Sequence, residues 1–146
     1  MTGVQTCALP IYLQGARIIG VHYRGTDKRQ DAPRVPYEAV ASAVIAQAAR
    51  EGGDWKLFAA SDEQAFVDFM RERFGARVAC LDMRRSTDGS PIDVVQGDNR
   101  RKGADAVLDC LLLSRCDALL RTASNLGLCA SFFNPRVLVV ELSRER

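Results

Sequence analysis

Short apolar runs alternate with longer helical patterns along this chain from residue 16 onwards. Such an alternation builds βα units, in which each helix returns the chain so that the next strand lies parallel to the last. Five runs have the length and composition of strands: Arg17 to Tyr23, Lys56 to Ala60, Arg77 to Leu81, Ala118 to Arg121 and Val137 to Leu142. The pattern therefore predicts an α/β fold with a parallel sheet of about five strands and helices on both faces.

Four helical patterns lie between the runs, and their ends carry the residues that helix ends favour. We expect helices over four segments: Pro36 to Glu51, Asp62 to Phe74, Ala104 to Cys116 and Ser124 to Phe133. Proline suits a first helical turn, and glycine suits a helix end, as at Gly52 and Gly75. Ser61 or Asp62 can cap the second helix, and Ser124 the fourth.

Length and composition exclude several classes of protein. The 146 residues suit one domain, and 47% apolar with 26% charged residues is ordinary for a folded chain rather than a disordered one. A net charge of +2 gives no reason to expect nucleic-acid or membrane binding. The most apolar stretch, residues 106–120, is interrupted by charged and polar side chains, so no membrane segment is predicted.

The first eleven residues differ in character from the rest. Met1 to Ile11 resembles the conceptual translation of a sequencing adapter joined to an incomplete reading frame. This predicts that native sequence begins near Tyr12, that residues 12–146 form one nucleotide-sugar-binding domain, and that an N-terminal domain is missing.

The cysteines beyond that segment form no metal-binding pattern. Four remain, at positions 80, 110, 116 and 129, with no CxxC pair and no histidine cluster. Each has apolar neighbours in sequence, where a free thiol behaves as a small buried hydrophobic group. We expect reduced core cysteines, no metal and a cytoplasmic setting.

Polar side chains follow three of the predicted strands. The first strand ends in His22 to Lys28, the second in Ser61 to Glu63, and the fourth in Arg121 to Asn125. Ligands of open parallel sheets bind beyond the carboxyl ends of the strands, so these three clusters should face one cleft. A second polar stretch, residues 84–102, contains Arg84, Arg85, Arg100 and Arg101, and we expect those arginines to form a solvated loop.

An arginine at a strand end beside a helix start is suited to a phosphate or diphosphate. The guanidinium offers two parallel charged donors, and the free amides of the helix add more. The chain has neither a GxxxxGK[ST] loop nor a GxGxxG turn, so the usual signs of P-loop hydrolysis and dinucleotide binding are missing. A nucleoside diphosphate held by arginine and helix amides remains one interpretation, and polar strand ends that are simply solvated are the alternative.

Three segments in order carry a resemblance to a known family. Ile19 to Lys28, IGVHYRGTDK, resembles the HxRxTDK signature of the α1,6-fucosyltransferases, including the bacterial nodulation type, within the fucosyltransferase superfamily. Phe58 to Glu63, FAASDE, and Val107 to Asn125, VLDCLLLSRCDALLRTASN, resemble the second and third motifs of that family. The resemblance implies a Rossmann-like domain, the C-terminal, donor-binding half of a GT-B-type glycosyltransferase.

The resemblance also implies an activity and residues for it. The activity is metal-independent transfer of fucose from GDP-fucose to a glycan or other hydroxyl acceptor, with inversion at the anomeric carbon and no cofactor. By position in the motifs, Arg24 matches the arginine that binds the diphosphate, and Asp109 a carboxylate associated with guanine. The donor-binding set is His22, Arg24, Asp62, Asp109, Thr122, Ser124 and Asn125.

The catalytic set is less regular than the donor set. It comprises Arg24 and Lys28 for the leaving phosphate, and Asp31, with Asp27 as second choice, for the base. Asp31 matches a loop glutamate of the family, and Gly25 stands where the α1,6 enzymes carry a second arginine. These two departures leave open a different donor or acceptor, and also a non-catalytic module that binds a nucleotide sugar without transfer.

Overall fold

The computed structural model of the chain describes residues 14–26, 34–88 and 99–143, and the strands in these ranges form one parallel sheet. The strands are β1 (Arg17–Tyr23), β2 (Trp55–Ser61), β3 (Val78–Ala79), β4 (Ala118–Arg121) and β5 (Leu138–Glu141). Their order is β3-β2-β1-β4-β5, and every neighbouring pair is parallel. The predicted fold class is confirmed, and the bounds of β1 and β4 agree with those predicted.

In the part of the chain that the structure describes, four α-helices connect the strands where the sequence predicts them. They are α1 (Tyr37–Glu51), α2 (Gln64–Phe74), α3 (Asn99–Ser114) and α4 (Asn125–Phe133), with a 3₁₀ turn at Gly75–Arg77. The start predicted for α3, Ala104, was wrong, because the helix begins more than one turn earlier, at Asn99. Arginine and lysine at positions 100–102 favour a helix without marking one by apolar spacing, so the periodic signal begins too late.

Each face of the sheet carries two helices and a separate apolar layer. On one face α1 and α2 cover a layer that includes Val21, Leu57 and Phe66. On the other face α3 and α4 cover Phe58, Leu113 and Leu119. Successive residues of a strand point to opposite faces, which is why Leu57 and Phe58 lie in different layers. The domain is therefore a three-layer α/β/α structure.

Close contact between β1 and α3 depends on a glycine. A Cβ at Gly20 would lie 3.1 Å from Cδ2 of Leu113 on α3 and 2.8 Å from Sγ of Cys116, just after the helix, and the second distance is nearer than two such atoms approach. Cys116 and Cys110 are buried, as expected for core thiols, but Cys129 is exposed on α4. Cys129 therefore departs from the expectation of a buried core thiol.

The described residues contain neither a membrane-spanning helix nor a cluster of metal ligands. Within 14–26, 34–88 and 99–143 no helix is both long and apolar enough to span a bilayer. Over the same ranges no three His, Cys, Asp or Glu residues lie together in a way that could hold a metal ion.

The chain reverses its direction of winding between β1 and β4. From β1 it proceeds through β2 to β3 on one side, and β4 and β5 then lie on the other side. At such a switch point the loops beyond the carboxyl ends separate and leave a crevice. The β1 and β4 tips at this edge are where the sequence places most of its candidate site residues.

Candidate nucleotide site at the carboxyl edge

The tips of β1 and β4 are joined by hydrogen bonds. The amide of Arg24 donates to Oγ1 of Thr122 over 2.9 Å, and the amide of Thr122 donates to the carbonyl of His22 over 3.0 Å. Thr122 is buried, so the contact is shielded from water. The polar clusters after β1 and β4 are therefore in contact, as predicted.

Arg24 lies at this junction with its side chain partly in solvent. Its side chain is 38% exposed, and Nε lies 4.0 Å from Oδ2 of Asp62. This places the third cluster, after β2, beside the other two. A guanidinium held at a strand tip in this way can donate to an anion above the edge of the sheet.

Asp62 anchors the chain after β1 instead of capping α2. Its carboxylate accepts from the amides of Gly25 (3.0 Å) and Thr26 (3.4 Å) and from the hydroxyl of Thr26 (2.5 Å). The predicted capping role is thus wrong for Asp62. The N-cap residue of α2 is Glu63, and Ser61 Oγ accepts from the Glu63 amide over 3.1 Å.

Three predicted catalytic residues fall in the next segment of the chain. Asp27, Lys28 and Asp31 lie outside the described residues, and their roles stay predictions. The segments on either side of residues 27–33 are described. Asp62 bonds the chain just before this segment, at Gly25 and Thr26. Its neighbour Glu63 bonds the chain just after it, at Arg34.

Glu63 lies at the same edge and was predicted only as a member of the cluster after β2. It is 3% exposed, and its carboxylate accepts from both terminal nitrogens of Arg34, over 3.0 and 2.8 Å, and from the hydroxyl of Tyr37 over 2.6 Å. Burial, followed by the bond to Glu63, raises the pKa of Tyr37, which therefore stays a donor. Nothing in the sequence except its place beside Asp62 pointed to this role.

The same carboxylate explains why position 25 is glycine. A Cβ built on Gly25 would overlap the carboxyl group of Glu63. The place that a side chain at position 25 would take is therefore already filled by Glu63. The departure from the arginine of the α1,6 enzymes is thus part of a local packing arrangement.

The chain after residue 33 is fixed to the same face of the sheet. Tyr23 donates its hydroxyl to the carbonyl of Val35 over 2.8 Å, and the Arg34 guanidinium lies 5.3 Å from the ring centre of Tyr37. The rings of Tyr23 and Phe66 stack with centres 4.4 Å apart. Polar and aromatic contacts together give the α1/α2 side of the edge a well-defined geometry.

The start of α4 follows directly from the tip of β4. Ser124 is the N-cap, and its Oγ accepts from the amide of Leu126 over 3.2 Å, which confirms the predicted cap. Asn125 is the first helical residue. The free amides at this start and the dipole of the helix favour an anion just beyond it.

His22 is buried beneath this region and lacks one hydrogen bond. It is 4% exposed, and Nδ1 has no partner. Burial above all, and the charges of Arg24 and Arg121 against that of Asp62, lower the pKa of His22 to about 4. The imidazole is therefore neutral at pH 7, and its polar atom can serve a ligand without adding charge.

Asp109 is the second buried polar group with a missing partner. It projects from α3, is 3% exposed, and its Oδ1 makes no hydrogen bond. Burial raises its pKa to about 7, while the charge of Arg85 opposes the shift and that of Asp105 adds to it. A buried carboxylate oxygen without a partner is costly, and such groups mark sites where a ligand supplies the missing donor.

Arg85 differs from its predicted place in a solvated loop. Its guanidinium donates to the carbonyls of Leu81 (2.6 Å), Ser61 (3.2 Å) and Met83 (3.3 Å). These bonds join the ends of β2 and of the chain after β3. Arg100 and Arg101 likewise belong to α3 and not to a loop. The expectation of a solvated loop is wrong for these three arginines.

The fold and the carboxyl edge of the sheet together define the class of protein. It is a three-layer α/β domain whose candidate ligand site lies at the β1/β4 switch point. No family model and no curated protein matches the chain. Solved structures do. NodZ α-1,6-fucosyltransferase soaked with GDP-fucose matches at a TM-score of 0.63 and 21% identity, over 98% of this chain and 44% of that one. NodZ has also been solved from Bradyrhizobium, with a TM-score of 0.55 at 22% identity, over 92% of this chain and 42% of that one.

A second fucosyltransferase shares the fold. POFUT1 in complex with GDP matches at a TM-score of 0.54 and 11% identity, over 97% of this chain and 45% of that one. The chain thus spans less than half the length of these structures' chains. The resemblance proposed from the three motifs is confirmed in the fold, which is that of part of a fucosyltransferase.

Proposed function

We propose that this chain is the donor-binding part of a fucosyltransferase-like glycosyltransferase that uses GDP-fucose. The observation that carries the proposal is the junction of Arg24 and Thr122, which places a strand-tip arginine beside the start of α4. The NodZ structure soaked with GDP-fucose and the POFUT1 structure in complex with GDP support GDP as the nucleotide. A glycan or another hydroxyl compound is the acceptor.

Arg24 and the start of α4 bind the diphosphate in this proposal. Arg24 is partly exposed and can donate two parallel bonds to phosphate oxygens. Ser124 and Asn125 contribute the amides of the helix start, which needs no metal to attract an anion. Thr122 holds the two donors at a fixed separation, because its side chain bonds the main chain of Arg24.

Asp109 binds the guanine base. A carboxylate can accept from both N1–H and the exocyclic amine of guanine, and the unpaired Oδ1 of Asp109 has this capacity. His22 Nδ1 is unpaired on the same face of the sheet, which supports a polar ligand there. Uracil and adenine lack this pair of donors, so the site selects a guanine nucleotide.

The transfer requires an acceptor hydroxyl to attack the anomeric carbon as the bond to the diphosphate breaks. Arg24, with Lys28 and the helix amides, stabilises the charge that develops on the leaving GDP. Asp31, or Asp27, accepts the hydroxyl proton. Attack opposite the leaving group inverts the anomeric centre, and no metal enters these steps.

Calorimetric titration of the chain with GDP, UDP and ADP tests the proposal. GDP should bind more tightly than the other two, and Arg24→Ala should weaken GDP binding about a hundredfold. Arg136→Ala is the matched control, because this exposed arginine precedes β5 at the opposite edge of the sheet. Equal binding of all three nucleotides, or none by the folded chain, would contradict the proposal.

A non-catalytic nucleotide-sugar-binding module is the second candidate. The observation in its favour is Gly25, where Glu63 fills the space of the arginine found in the α1,6 enzymes. The two candidates differ in turnover. In a protein that carries this chain with an acceptor-binding half, release of GDP from GDP-fucose that is abolished by Arg24→Ala supports transfer, and tight binding without release supports the module.

A further inference from the structure

Arg121, at the tip of β4, lies beneath the first turn of α4. Its Nη1 donates to the carbonyl of Ser124 over 3.3 Å, and its Nη2 lies 3.4 Å from Oε2 of Glu141. The side chain is 15% exposed, and Nε is buried without a hydrogen bond. Most of this cation is thus enclosed by protein, and its donor capacity is not used up.

The helix rests directly on this arginine and on His22. A Cβ built on Gly127, in the first turn of α4, would lie 3.1 Å from Cδ of Arg121 and 3.5 Å from Nδ1 of His22. His22 and Arg121 are register partners on neighbouring strands, so they share the same face of the sheet. His22 is 4% exposed, and its unpaired Nδ1 therefore faces the turn whose amides open towards the crevice.

Two positive groups lie together at this place. The start of a helix carries a partial positive charge, and a guanidinium beneath it adds a whole one. The partner that the structure gives Arg121 is Glu141, which is 59% exposed and therefore weakly paired in water. An anion at the helix start would relieve the repulsion between the two positive groups.

We propose that Arg121 is a positioning residue for the donor's diphosphate. It sets the first turn of α4 through the Ser124 carbonyl, and its charge raises the affinity of the helix start for phosphate. The inference rests on the proposed function and extends it, because it gives the diphosphate a second arginine that acts from below. Arg24 touches the phosphate from the β1 tip, whereas Arg121 acts through the helix.

The test compares ligands that differ only in the phosphate. Calorimetry with GDP, guanosine and inorganic pyrophosphate is carried out on the chain, on Arg121→Met and on Arg121→Lys, at low and high salt. Methionine keeps the packing under Gly127 and removes the charge, whereas lysine keeps the charge and loses the fork-shaped donor. Arg136→Met is the control, since it changes the net charge equally at the opposite edge of the sheet.

Arg121→Met should weaken GDP and pyrophosphate binding about tenfold and change guanosine binding less than about twofold. Arg121→Lys should recover most of the loss, and the salt dependence of GDP binding should be shallower in the methionine variant. Glu141→Gln should strengthen GDP binding up to about fivefold, because it removes a competing anion.

Three outcomes would overturn the inference. They are equal losses for GDP and guanosine, an effect of Arg136→Met as large as that of Arg121→Met, and a lysine variant as weak as methionine. Thermal unfolding of each variant separates a loss of structure from a loss of charge. Failure of the proposed function is seen differently, in the unsubstituted chain, as no preference for GDP over UDP.

Discussion

The two sides of the carboxyl edge differ in how completely their buried polar groups are paired. On the α1/α2 side, Glu63 accepts three hydrogen bonds from Arg34 and Tyr37, and Tyr23 bonds a carbonyl. On the α3/α4 side, the three buried side-chain atoms left without partners in the described ranges belong to His22, Asp109 and Arg121.

The proposed function accounts for this difference. An unpaired buried polar atom costs about 1–3 kcal/mol, so three on one side are unfavourable for folding alone. The α1/α2 side is paired through Glu63 and Tyr23. In the proposal, the unpaired groups of the α3/α4 side bind the donor. Four substitutions test this division.

The largest effect on stability should come from Glu63→Ala. It leaves the Arg34 guanidinium and the Tyr37 hydroxyl without their shared partner, and breaking a buried pair in this way costs about 3–5 kcal/mol. Urea unfolding measures the loss. Glu141→Ala is the control, because that carboxylate is exposed, and it should cost less than about 1 kcal/mol. Equal losses would remove the distinction between the two sides.

The second effect is a pH dependence that originates in His22. Its folded pKa of about 4 lies below the unfolded value of 6.5, so the unfolded chain binds more protons between these values. This contribution therefore destabilises the chain as pH falls from 6.5 to 4, by up to about 3 kcal/mol. Urea unfolding at several pH values gives the free energy of unfolding as a function of pH. Between pH 6.5 and 4 this free energy should change more steeply with pH in Asp109→Asn than in Asp109→Asn/His22→Gln. Identical slopes would mean that His22 titrates normally.

The third effect concerns the space at position 25. Gly25→Ala should lower the free energy of unfolding by about 2 kcal/mol, because the new methyl group meets the Glu63 carboxyl. Gly103→Ala is the control, since its Cβ would enter open space on α3, and it should stabilise the chain slightly. The double variant Gly25→Ala/Glu63→Ala should lose less than the two single losses added together.

The smallest effect has the opposite sign. Asp109→Asn should stabilise the chain by about 1 kcal/mol at pH 8, because the folded state no longer holds an ionised carboxylate in a buried place. The folded pKa of about 7 lies above the ordinary 3.8, so the gain should vanish towards pH 4, where the carboxyl is protonated. GDP affinity should fall in the same variant. A loss of stability at pH 8 would show that Asp109 already has its partner within the chain.

Most of the fold could be predicted from the sequence, because the alternation of periods is a local signal. The bounds of β1 and β4 agree with the prediction, and the Ser124 cap follows from a single side chain. β3 is only Val78–Ala79, shorter than the predicted Arg77 to Leu81. The carbonyls of Leu81 and Met83 instead accept from Arg85, whose guanidinium also bonds the carbonyl of Ser61, and the apolar pattern gives no sign of these bonds.

The candidate site could be predicted in part. Residues at strand tips, such as Arg24 and Thr122, follow from topology, because parallel strands end at one edge. Asp62 lies at the predicted edge, but it bonds Gly25 and Thr26 instead of capping α2. A cap and a loop anchor have the same local sequence, so the sequence does not separate them. The hydrogen bonds of Glu63 and Arg121 were not predicted, although both residues lie in the predicted strand-end clusters, because their partners depend on tertiary packing.

Gly127 makes the height of α4 above the sheet depend on what lies at position 121. The glycine is in near contact with the stem of Arg121, so the two positions share a fixed volume. In related chains, a bulkier residue at the equivalent of 127 should therefore accompany a smaller one at the equivalent of 121. Such paired exchange would replace the buried cation with closer apolar packing and leave the first turn of α4 at the same distance from the sheet.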